Sequence, residues 1–477
     1  MRYLALATDY DGTLAVDGRT STDTVSALGR LRASGRQAIL VSGRRLDELF
    51  EVFPQIDLFD SVVAENGAVV YFPHTKEEIL IAAPPPAEFI EHLKSLGVQP
   101  IDVGQVVIAT WLPNQIAVLQ AIQETGLELH IVFNKSAVMI LPTGVNKATG
   151  LAYALRKLGL SFHEVVGVGD AENDHSFLER CECSVAVANA APPILSLVDF
   201  VTQGEAGRGV AELVDQLIAD DLLAMQGKMQ RNLISVGLLT DGTPVKISPY
   251  GTTVLIAGPS GSGKSTVTAG IVERLIEQKY QVCIVDPEGD YGPTQEVIAL
   301  GDRKHAASIT EVLSILEDPQ MNISVNLLGI DLADRPDFFG QIFPSLRTLR
   351  TRTGRPHWMI LDEAHHLLPL DWGHLPEVLP QQLGETVLVT VLPDHLATPV
   401  LSLVDVIIAV GPSPEKTIKS FSDASGHTLL WPDGLSYRKG QVIVWFPHDK
   451  KSPFSIRILP PKRERIRHLR KYAEGNM

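Results

Sequence analysis

Short apolar runs, each ending in a turn that contains glycine or a carboxylate, alternate with helical segments along most of this chain. Strands are predicted at residues 3–8 and 37–41 on either side of a helix at residues 22–33, and a second series of strands starts at residues 253–257. Strands that alternate with helices are joined by crossover connections and lie parallel in one sheet. The sequence therefore predicts an α/β protein built on doubly wound, parallel sheets.

The length of 477 residues requires more than one hydrophobic core, because compact domains usually contain roughly 100–250 residues. An insertion into the first series is predicted where three prolines at residues 84–86 interrupt the pattern. The predicted division is a core at residues 1–71 and 142–222, an inserted α/β cap at 72–141, a linker at 223–235, a second domain at 236–460 and a basic C-terminal tail at 461–477.

The net charge of −15 is unevenly distributed along the chain. Residues 1–224 contain 15 lysines and arginines against 29 acidic residues, whereas the remainder contains 26 against 27. A strongly acidic surface repels nucleic acid. A nucleic-acid partner therefore stays open for the C-terminal half.

No stretch approaches the roughly 18 consecutive apolar residues of a membrane-spanning helix, so we expect a soluble chain without a membrane partner. The first apolar run ends at a candidate catalytic residue, Asp9, which leaves no room for a cleavable signal peptide and predicts a cytoplasmic location. Cys181, Cys183 and Cys283 lack the ligand spacing of a zinc site and are expected to be reduced and structural.

Two carboxylates follow the first predicted strand, in the motif DYDGT at residues 9–13. Side chains two residues apart share one face of an extended segment, so Asp9 and Asp11 both project from the carboxyl end of the strand, where open α/β sheets bind ligands. One carboxylate can attack phosphorus, and the other can protonate the leaving oxygen and then activate water. The anionic substrate of such a reaction requires Mg²⁺ and a cation as counter-charge.

Three later motifs supply the groups that this chemistry needs. Ser42 and Gly43 follow the next strand with a hydroxyl and backbone amides suited to phosphate oxygens. Lys147 opens a predicted helix, and its ammonium group can neutralise the phosphoryl oxygens and the nucleophile. Asp170 and Asp174 follow a strand predicted at residues 164–169 and can complete an oxygen-rich Mg²⁺ site.

In this order, the four motifs resemble those of the haloacid dehalogenase superfamily over about residues 1–220. The resemblance implies a Rossmann-like domain in which Asp9 is the nucleophile, Asp11 is the general acid and base, and Ser42 and Lys147 bind the phosphate. The Mg²⁺ site that it implies consists of Asp9, the backbone carbonyl of Asp11 and Asp170, with Asp174 in support.

The predicted insertion resembles the α/β cap of the Cof-type or sucrose-phosphatase-like branch, since the motif ENGA at residues 65–68 precedes it. Caps of this kind close over small phosphorylated metabolites, often sugar phosphates, and the resemblance implies a substrate of this class. Ala148 departs from the glycine that the branch commonly has after the lysine.

The second series of strands begins with a motif for binding a phosphate chain. GPSGSGKS at residues 258–265 fits the P-loop pattern between a predicted strand and a helix that continues through residue 276. The glycines let backbone N–H groups turn towards phosphates, Lys264 reaches the β- and γ-phosphates, and Ser265 holds Mg²⁺. The predicted ATP site consists of Gly258, Gly261, Gly263, Lys264, Ser265 and Thr266.

A pair of carboxylates follows the strand predicted at residues 358–361. Asp362 can bind the water shell of Mg²⁺, and Glu363 can polarise an attacking water, which favours ATP hydrolysis over transfer to a substrate. Asp286, at the end of another predicted strand, either assists this site or forms a turn.

These motifs resemble the HerA/FtsK-type ATPases over about residues 230–460. The resemblance implies a RecA-like P-loop domain that binds ATP. Members are commonly ring-forming motors acting on DNA or on secreted protein, so a homo-oligomer through this domain stays open. Val391 departs from the glutamine that the family usually has after a threonine, here Thr390, and cannot hydrogen-bond a γ-phosphate.

Two basic stretches have several interpretations. Four arginines precede the carboxylate strand, and six cations lie between Lys462 and Lys471. Either stretch could contact phosphates, supply an arginine finger to a neighbouring subunit or be solvated. Solvation is favoured for the second, because it is short and terminal. The arginines are Arg347, Arg350, Arg352 and Arg355.

The sequence thus predicts a Mg²⁺-dependent phosphatase for a small phosphorylated metabolite, such as a sugar phosphate, joined to an ATP-binding and ATP-hydrolysing domain. One alternative is a kinase-phosphatase acting on nucleic-acid ends or on a metabolite, with the arginine cluster as a lid. Another is a nucleotide-controlled, DNA-associated motor or assembly module.

Overall fold

The structure is a computed structural model that describes residues 1–134, 136–291, 296–371, 383–438, 440–449 and 451–462. The chain divides into two compact units, Met1–Arg231 and Asn232–Met477. Within the described ranges, no helix combines the length and the apolar character needed to cross a membrane.

The first unit alternates helices and strands, as the sequence predicts. Its helices are α1 (Thr22–Ala33), α2 (Leu46–Val52), α3 (Ala87–Ser95), α4 (Gln115–Thr125), α5 (Lys147–Lys157), α6 (His175–Leu178), α7 (Pro192–Leu197) and α8 (Ala206–Asp220). Its strands are β1 (Ala5–Thr8), β2 (Ala15–Val16), β3 (Arg19–Thr20), β4 (Gln37–Val41), β5 (Ser61–Ala64), β6 (Val69–Phe72), β7 (Glu77–Leu80), β8 (Asp102–Val103), β9 (Ile108–Trp111), β10 (Leu129–Asn134), β11 (Ala137–Pro142), β12 (Val165–Gly169), β13 (Cys183–Ala186) and β14 (Phe200–Val201).

An eight-stranded sheet organises this unit, in the order β14-β13-β12-β1-β4-β5-β6-β7. β1 lies between β12 and β4 and is parallel to both. Alternate residues of β4 enter two different hydrophobic clusters, Leu40 on one face and Ile39 on the other. A strand that is covered on both faces has to be apolar throughout, which explains the continuous apolar runs in the sequence.

Helix α1 and strand β4 begin and end where the sequence predicts them. The helix starts after Ser21, whose hydroxyl accepts a hydrogen bond from the Thr24 N–H at 3.1 Å. Asp23 lies in its first turn and Arg30 in its last turn, which suits the positive amino end and the negative carboxyl end of a helix.

A second, antiparallel sheet in the order β10-β11-β9-β8 forms the inserted unit. Helices α3 and α4 pack against one face through a cluster that includes Phe89, Val118 and Ile140. β6 and β7 belong instead to the eight-stranded sheet, where they continue it as an antiparallel hairpin. The insertion in the structure therefore follows β7, later than the predicted boundary at residue 72.

The second unit contains another alternating series. Its helices are α9 (Lys264–Glu277), α10 (Ile309–Leu316), α11 (Arg335–Thr353), α12 (Thr398–Leu401) and α13 (Pro414–Ser425). Its strands are β15 (Ile234–Leu238), β16 (Pro244–Ile247), β17 (Thr253–Ala257), β18 (Val282–Asp286), β19 (Ile298–Leu300), β20 (Ile323–Asn326), β21 (Trp358–Leu361), β22 (Thr386–Thr390), β23 (Val406–Ala409), β24 (Gln441–Trp445) and β25 (Phe454–Ile458).

An eleven-stranded sheet organises the second unit, in the order β16-β15-β25-β24-β23-β17-β22-β21-β18-β20-β19. The strands from β23 to β19 are parallel, and the remaining ones are antiparallel. β22 separates β17 from β21, so the P-loop strand and the carboxylate strand are next-nearest neighbours. The carboxyl ends of these strands lie at one edge of the sheet.

The segment predicted as a linker at residues 223–235 is packed in the structure. Leu223–Lys228 forms a 3₁₀ helix, and Met229 is buried in the core of the first unit. Arg231 pairs with Asp199 at 2.8 Å. The first strand of the second unit begins at Ile234, so this segment is built into secondary structure and core packing.

Candidate active sites

Three adjacent parallel strands of the first unit bring the predicted phosphatase motifs together. Asp9 follows β1, Ser42 follows β4 and Asp170 follows β12. All three residues are buried. Because the carboxyl ends of parallel strands share one edge of the sheet, residues far apart in sequence meet there.

Lys147 bridges two carboxylates at this edge. Its ammonium nitrogen lies 2.6 Å from Asp9 Oδ1 and 2.6 Å from Asp174 Oδ1, and its side chain is 1% exposed. Lys147 is the first residue of α5, whose start is set by Asn146: the Asn146 side chain accepts a hydrogen bond from the Thr149 N–H, and the Thr149 hydroxyl accepts one from the Asn146 N–H. This capping box points the lysine into the site.

The carboxylates of Asp9, Asp170 and Asp174 form a cluster whose ligand oxygens all lie within 4.8 Å of one another. Burial raises the pKa of Asp9 well above its ordinary value, and the negative charge of Asp174 raises it further, against the opposing effect of Lys147. Burial alone would lower the pKa of Lys147, but Asp174 and Asp9 outweigh it, so the pKa of the lysine is raised. The cluster therefore has more negative charge than one ammonium group can balance.

Asp174 uses both carboxylate oxygens within the protein. Oδ1 accepts from Lys147, and Oδ2 accepts from the N–H groups of Asp170 and Ala171 at 2.9 Å each. The Asp170 Oδ1 atom accepts from the Thr13 hydroxyl at 3.0 Å. Gly12, at φ +88°, is required because a Cβ there would collide with the Asp170 carboxylate.

Asp11 lies outside this cluster and pairs with Arg44. The guanidinium group holds the carboxylate in a bidentate contact, with Nε 2.6 Å from Oδ2 and Nη2 2.7 Å from Oδ1. Sequence reasoning missed Arg44 as a site residue. Its position directly after Ser42 and Gly43, as a cation next to a phosphate-binding loop, is the signal that could have identified it.

The ENGA turn ties the inserted sheet to the core. The Glu65 carboxylate is buried and accepts backbone hydrogen bonds from Gln105, Val106 and Val107 at 2.7 to 2.9 Å. Gly67, at φ +102°, lies so close to the start of α5 that a Cβ would collide with a backbone carbonyl there. This turn therefore positions both the cap and the lysine helix.

In the second unit, the residues of the predicted P-loop follow β17 and lead into α9. Gly258 and Gly263 have φ values of +157° and +107°, and a Cβ at Gly258 would collide with the Val410 carbonyl. The Lys264 ammonium donates to the Pro259 carbonyl at 3.3 Å. Ser265 and Thr266 occupy the first turn of α9, where N–H groups and the helix dipole favour a phosphate.

The predicted carboxylate pair follows β21. Asp362 is buried, and its pKa is raised to about 7, first by burial and then by the negative charges of Glu363 and Asp286. Glu363 has a φ of +40°. His365 Nδ1 lies 3.2 Å from the Thr390 hydroxyl and 3.6 Å from Glu363 Oε2, so an imidazole joins the ends of two neighbouring strands.

Asp286 forms a turn, one of the two interpretations of this residue, and its negative charge also raises the pKa of Asp362. Its Oδ1 atom accepts from the N–H groups of Glu288, Gly289 and Asp290 at 2.8 to 3.2 Å, and its Oδ2 atom accepts from Tyr291 at 2.8 Å. With its oxygens committed to backbone donors, this carboxylate organises the loop after β18.

Two of the four clustered arginines, Arg350 and Arg355, have contacts that fit none of the three predicted roles. Those roles were contact with a phosphate, an arginine finger and solvation. Arg350 donates to the carbonyls of Pro356 and His357 and pairs with Glu385 at 3.1 Å. Arg355 is 1% exposed. Arg350 lies in the last turn of α11 and Arg355 lies two residues after its end, and both guanidinium groups donate to backbone carbonyls of the same unit.

The other basic residues are exposed or lie outside the described part of the chain. Arg352 pairs with Glu317 at 2.7 Å on the surface, and Arg347 is exposed. Of the basic C-terminal stretch, Lys462 is described, and it pairs with Glu277 at 2.7 Å. The prediction for the rest of that stretch falls outside the described residues.

Two protein families match the chain. The family described as haloacid dehalogenase-like hydrolase matches residues 6–103 and 105–214. The family described as Helicase HerA, central domain, matches residues 234–365. The two matches fall in different units, one over each predicted site.

Relatives of the first unit include several phosphatases. The phosphoglycolate phosphatase of Methanothermobacter thermautotrophicus is 31% identical over 221 residues, which are 44% of this chain and 96% of that protein. Phosphoglycolate phosphatase 1 of Saccharolobus solfataricus is 28% identical over 229 residues, which are 44% of this chain and 93% of that protein. The phosphoglycolate phosphatase of Sulfolobus acidocaldarius is 28% identical over 222 residues, which are 46% of this chain and 97% of that protein.

Proposed function

Because the chain belongs to the haloacid dehalogenase-like hydrolases through its first unit and carries the central domain of a HerA-type P-loop ATPase in its second, we propose that it joins a Mg²⁺-dependent phosphatase to an ATP-hydrolysing domain. The observation that carries the proposal is the buried contact of Lys147 with Asp9 and Asp174 inside a carboxylate cluster. That arrangement suits a nucleophile that must meet an anionic phosphate.

Mg²⁺ fits the carboxylate cluster of the first unit. Its oxygens lie within 4.8 Å of one another, their negative charge exceeds that of the single lysine, and Mg²⁺ prefers oxygen ligands. We assign Asp9, Asp170 and the backbone carbonyl of Asp11 as ligands. Asp174 is assigned a supporting role, since both of its oxygens accept hydrogen bonds. When bound, the metal shields the charge of the phosphate and polarises its oxygens.

The proposed reaction divides the work between two carboxylates. Asp9 attacks phosphorus and forms an aspartyl-phosphate as the ester oxygen leaves. Asp11 gives that oxygen a proton and then takes one from the water that cleaves the aspartyl-phosphate. Arg44 fixes the orientation of Asp11 through its bidentate contact.

The remaining residues bind the phosphate. Lys147 lowers the pKa of Asp9, against burial and Asp174, which raise it, and faces the phosphoryl oxygens. The hydroxyl of Ser42 and the backbone of Gly43 bind the oxygens from the neighbouring loop. The substrate that we propose is a small phosphorylated metabolite, such as a sugar phosphate or a similar monoester. Phosphoglycolate belongs among the candidates because it appears in the names of the relatives.

In the second unit, we propose that the P-loop binds ATP and that Glu363 activates water for its hydrolysis. Lys264 would contact the β- and γ-phosphates, and Ser265 and Asp362 would hold Mg²⁺. Support comes from the order of the strands, which sets both motifs at the same sheet edge. The kinase alternative loses part of its proposed lid, because Arg350 and Arg355 are engaged inside the unit.

The test of the phosphatase is phosphate release with Mg²⁺ from sugar phosphates, phosphoglycolate, nucleotides and DNA ends. Asp9→Asn should lower monoester hydrolysis by about 1000-fold or more. Asp23→Asn, an exposed acid in α1, serves as the matched control. Normal hydrolysis by Asp9→Asn would exclude the proposed nucleophile.

The test of the ATPase is release of phosphate from ATP in the absence of an acceptor. Lys264→Ala should lose this activity together with ATP affinity, whereas Glu363→Gln should lose turnover by about 100-fold or more and still bind ATP. Transfer of the γ-phosphate to a sugar or a nucleic-acid end would instead support the kinase.

A further inference from the structure

A histidine that follows β21 contacts the carboxylate to which we assign water activation. His365 comes two residues after Glu363, in the 3₁₀ turn Ala364–His366. Its Nδ1 atom lies 3.6 Å from Glu363 Oε2 and 3.2 Å from the Thr390 hydroxyl oxygen. One ring nitrogen therefore contacts residues at the ends of two neighbouring strands, β21 and β22.

Thr390 connects this histidine to the P-loop and to the segment after β22. The Thr390 carbonyl accepts a hydrogen bond from the N–H of Gly258, the first residue of the P-loop, at 3.3 Å. The Thr390 hydroxyl also lies 3.1 Å from the Leu392 carbonyl, to which it can donate. The side chain of Val391 has no polar atom. At the end of β22, Thr390 therefore supplies the polar side chain that meets His365.

The imidazole of His365 is neutral at pH 7. Burial first, and then the positive charges of His366, His395 and Lys264, lower the pKa of His365 to about 4. A neutral imidazole has one N–H donor and one acceptor nitrogen. Its contact with Glu363 is therefore a hydrogen bond rather than an ion pair, and the position of the single proton decides whether this contact is favourable.

The partners of Nδ1 favour the tautomer that carries the proton on this atom. An ionised glutamate only accepts, and the single hydrogen of the Thr390 hydroxyl can go to the Leu392 carbonyl. Nδ1–H then has two acceptor oxygens, Glu363 Oε2 and Thr390 Oγ1, and each contact pairs a donor with an acceptor. With the proton on Nε2, the bare Nδ1 atom would lie next to a carboxylate oxygen, and two acceptors would meet.

The backbone of Glu363 is held in a conformation that glutamate rarely adopts. Its φ is +40° and its ψ is 50°, in the left-handed region. Residues persist in this region where their surroundings fix them, and such positions cluster at active sites. The side chains of Glu363 and His365 are 17% and 13% exposed, so little water competes with their contact. This contact can therefore set the direction of the carboxylate.

Resting on the proposed ATPase function, we infer that His365 is a positioning residue for Glu363. Its Nδ1–H holds the carboxylate in the direction needed to polarise water and joins it, through the Thr390 hydroxyl, to the Leu392 carbonyl after β22. Glu363 remains the group that acts on the water. Loss of the imidazole should therefore slow hydrolysis and leave ATP binding intact, because binding belongs to the P-loop.

The test measures kcat and KM for ATP hydrolysis, and the affinity for a non-hydrolysable ATP analogue, in the full chain with Mg²⁺. His365→Leu should lower kcat by about tenfold or more and keep the affinity within about twofold. His365→Asn should recover about threefold or more of that loss, because its amide places an N–H donor at the position of Nδ1. A purely space-filling role would not distinguish these two variants in this way.

Thr390→Val is a second variant, which removes the hydroxyl that contacts His365. It should lower kcat by about fivefold in the wild-type background and by less than about twofold when His365→Leu is already present, because both residues act through one set of contacts. Thr386→Val, at the other end of β22, is the matched control. Its hydroxyl donates to the Leu383 carbonyl at 3.3 Å, and its loss should keep kcat within about twofold of wild type.

The outcomes separate the inference from the function on which it rests. Absence of ATP hydrolysis by wild type would overturn the ATPase function and the inference together. In an active wild type, an unchanged kcat in His365→Leu, equal losses in His365→Leu and His365→Asn, or a parallel loss of affinity for the analogue would overturn the positioning role alone. Should His365→Leu fail to fold, a kcat of Thr390→Val equal to that of Thr386→Val would overturn it.

Discussion

The two candidate sites hold their lysines in opposite ways. In the first unit, Lys147 is 1% exposed and contacts both Asp9 and Asp174 at 2.6 Å. In the second unit, the Lys264 ammonium has one hydrogen bond among the described residues, to the Pro259 carbonyl at 3.3 Å. The first site carries its own counter-charge, whereas the described contacts of Lys264 include no carboxylate.

This difference matches the functions proposed for the two sites. In the proposed phosphatase, the buried lysine aims the carboxylate nucleophile and lowers its pKa, against burial and Asp174, which raise it. A P-loop uses backbone N–H groups and one cation to receive a nucleotide. The nearby Asp362 has a pKa raised to about 7, mainly by burial, which marks it as a carboxylate without a strong cationic partner.

To test this comparison, each lysine is replaced in the absence of Mg²⁺ and nucleotide. The largest expected effect is on the free energy of unfolding. Lys147→Met should lower the free energy of unfolding of the first unit by about 3 kcal/mol, because it leaves two buried carboxylates unpaired. Lys264→Met should change the free energy of unfolding of the second unit by less than about 1 kcal/mol. Amide hydrogen exchange on the full chain in EDTA measures the opening free energy of each unit separately. Equal losses for the two variants would contradict the comparison.

A smaller effect is expected in the pH dependence of the second unit. Because the pKa of folded Asp362 is about 7 and its ordinary value is 3.8, the folded state holds a proton that the unfolded state has lost between these values. Stability should therefore fall by roughly 3 to 4 kcal/mol as the pH rises from about 4 to 7 in EDTA, and level off above.

Asp362→Asn is the matched variant for this experiment. Without an ionisable group at residue 362, its unfolding free energy should lack the fall that wild type shows over the same pH range. Urea unfolding at pH 5, 6, 7 and 8 checks this difference. If wild type and variant follow parallel curves, Asp362 is not the titrating group.

The smallest expected effects on stability come from the arginine cluster, to which we assign a structural role and no role in binding ATP. Arg350→Met should destabilise the second unit by roughly 1 kcal/mol, since carbonyls lose their donor and Glu385 loses its partner. Arg352→Met, on the surface, should cost less than about 0.5 kcal/mol. ATP titrations should give the same affinity for both variants. A weakened ATP affinity in Arg350→Met would contradict the structural role and indicate that this arginine contributes to the nucleotide site.

The meeting of Asp9, Ser42 and Asp170 could be predicted from the sequence, because each follows an apolar strand and parallel strands end at one edge. The bounds of β17, β21 and β22 were predicted for a related reason: strands buried on both faces are continuous apolar runs. Periodicity of this kind depends on neighbouring residues alone.

Other contacts depend on how distant segments pack, which a local pattern does not contain. The pairing of Arg44 with Asp11 and the reach of Glu65 to the cap are examples. The boundary of the insertion was also misplaced, because a hairpin that extends the core sheet has the same local pattern as one that starts a new sheet. The contacts of Arg350 with backbone carbonyls and Glu385 could not be predicted, because the sequence gives the charge of a side chain and not the groups that it contacts.

We propose that the chain has two phosphate-handling sites of different design. The most direct measurement is a crossed assay of Lys147→Met and Lys264→Met, with p-nitrophenyl phosphate and ATP as substrates and Mg²⁺ present. Lys147→Met should lose monoester hydrolysis by about 1000-fold and still hydrolyse ATP, and Lys264→Met should show the reverse. Monoester hydrolysis that survives in Lys147→Met, or that disappears in Lys264→Met, would contradict the claim.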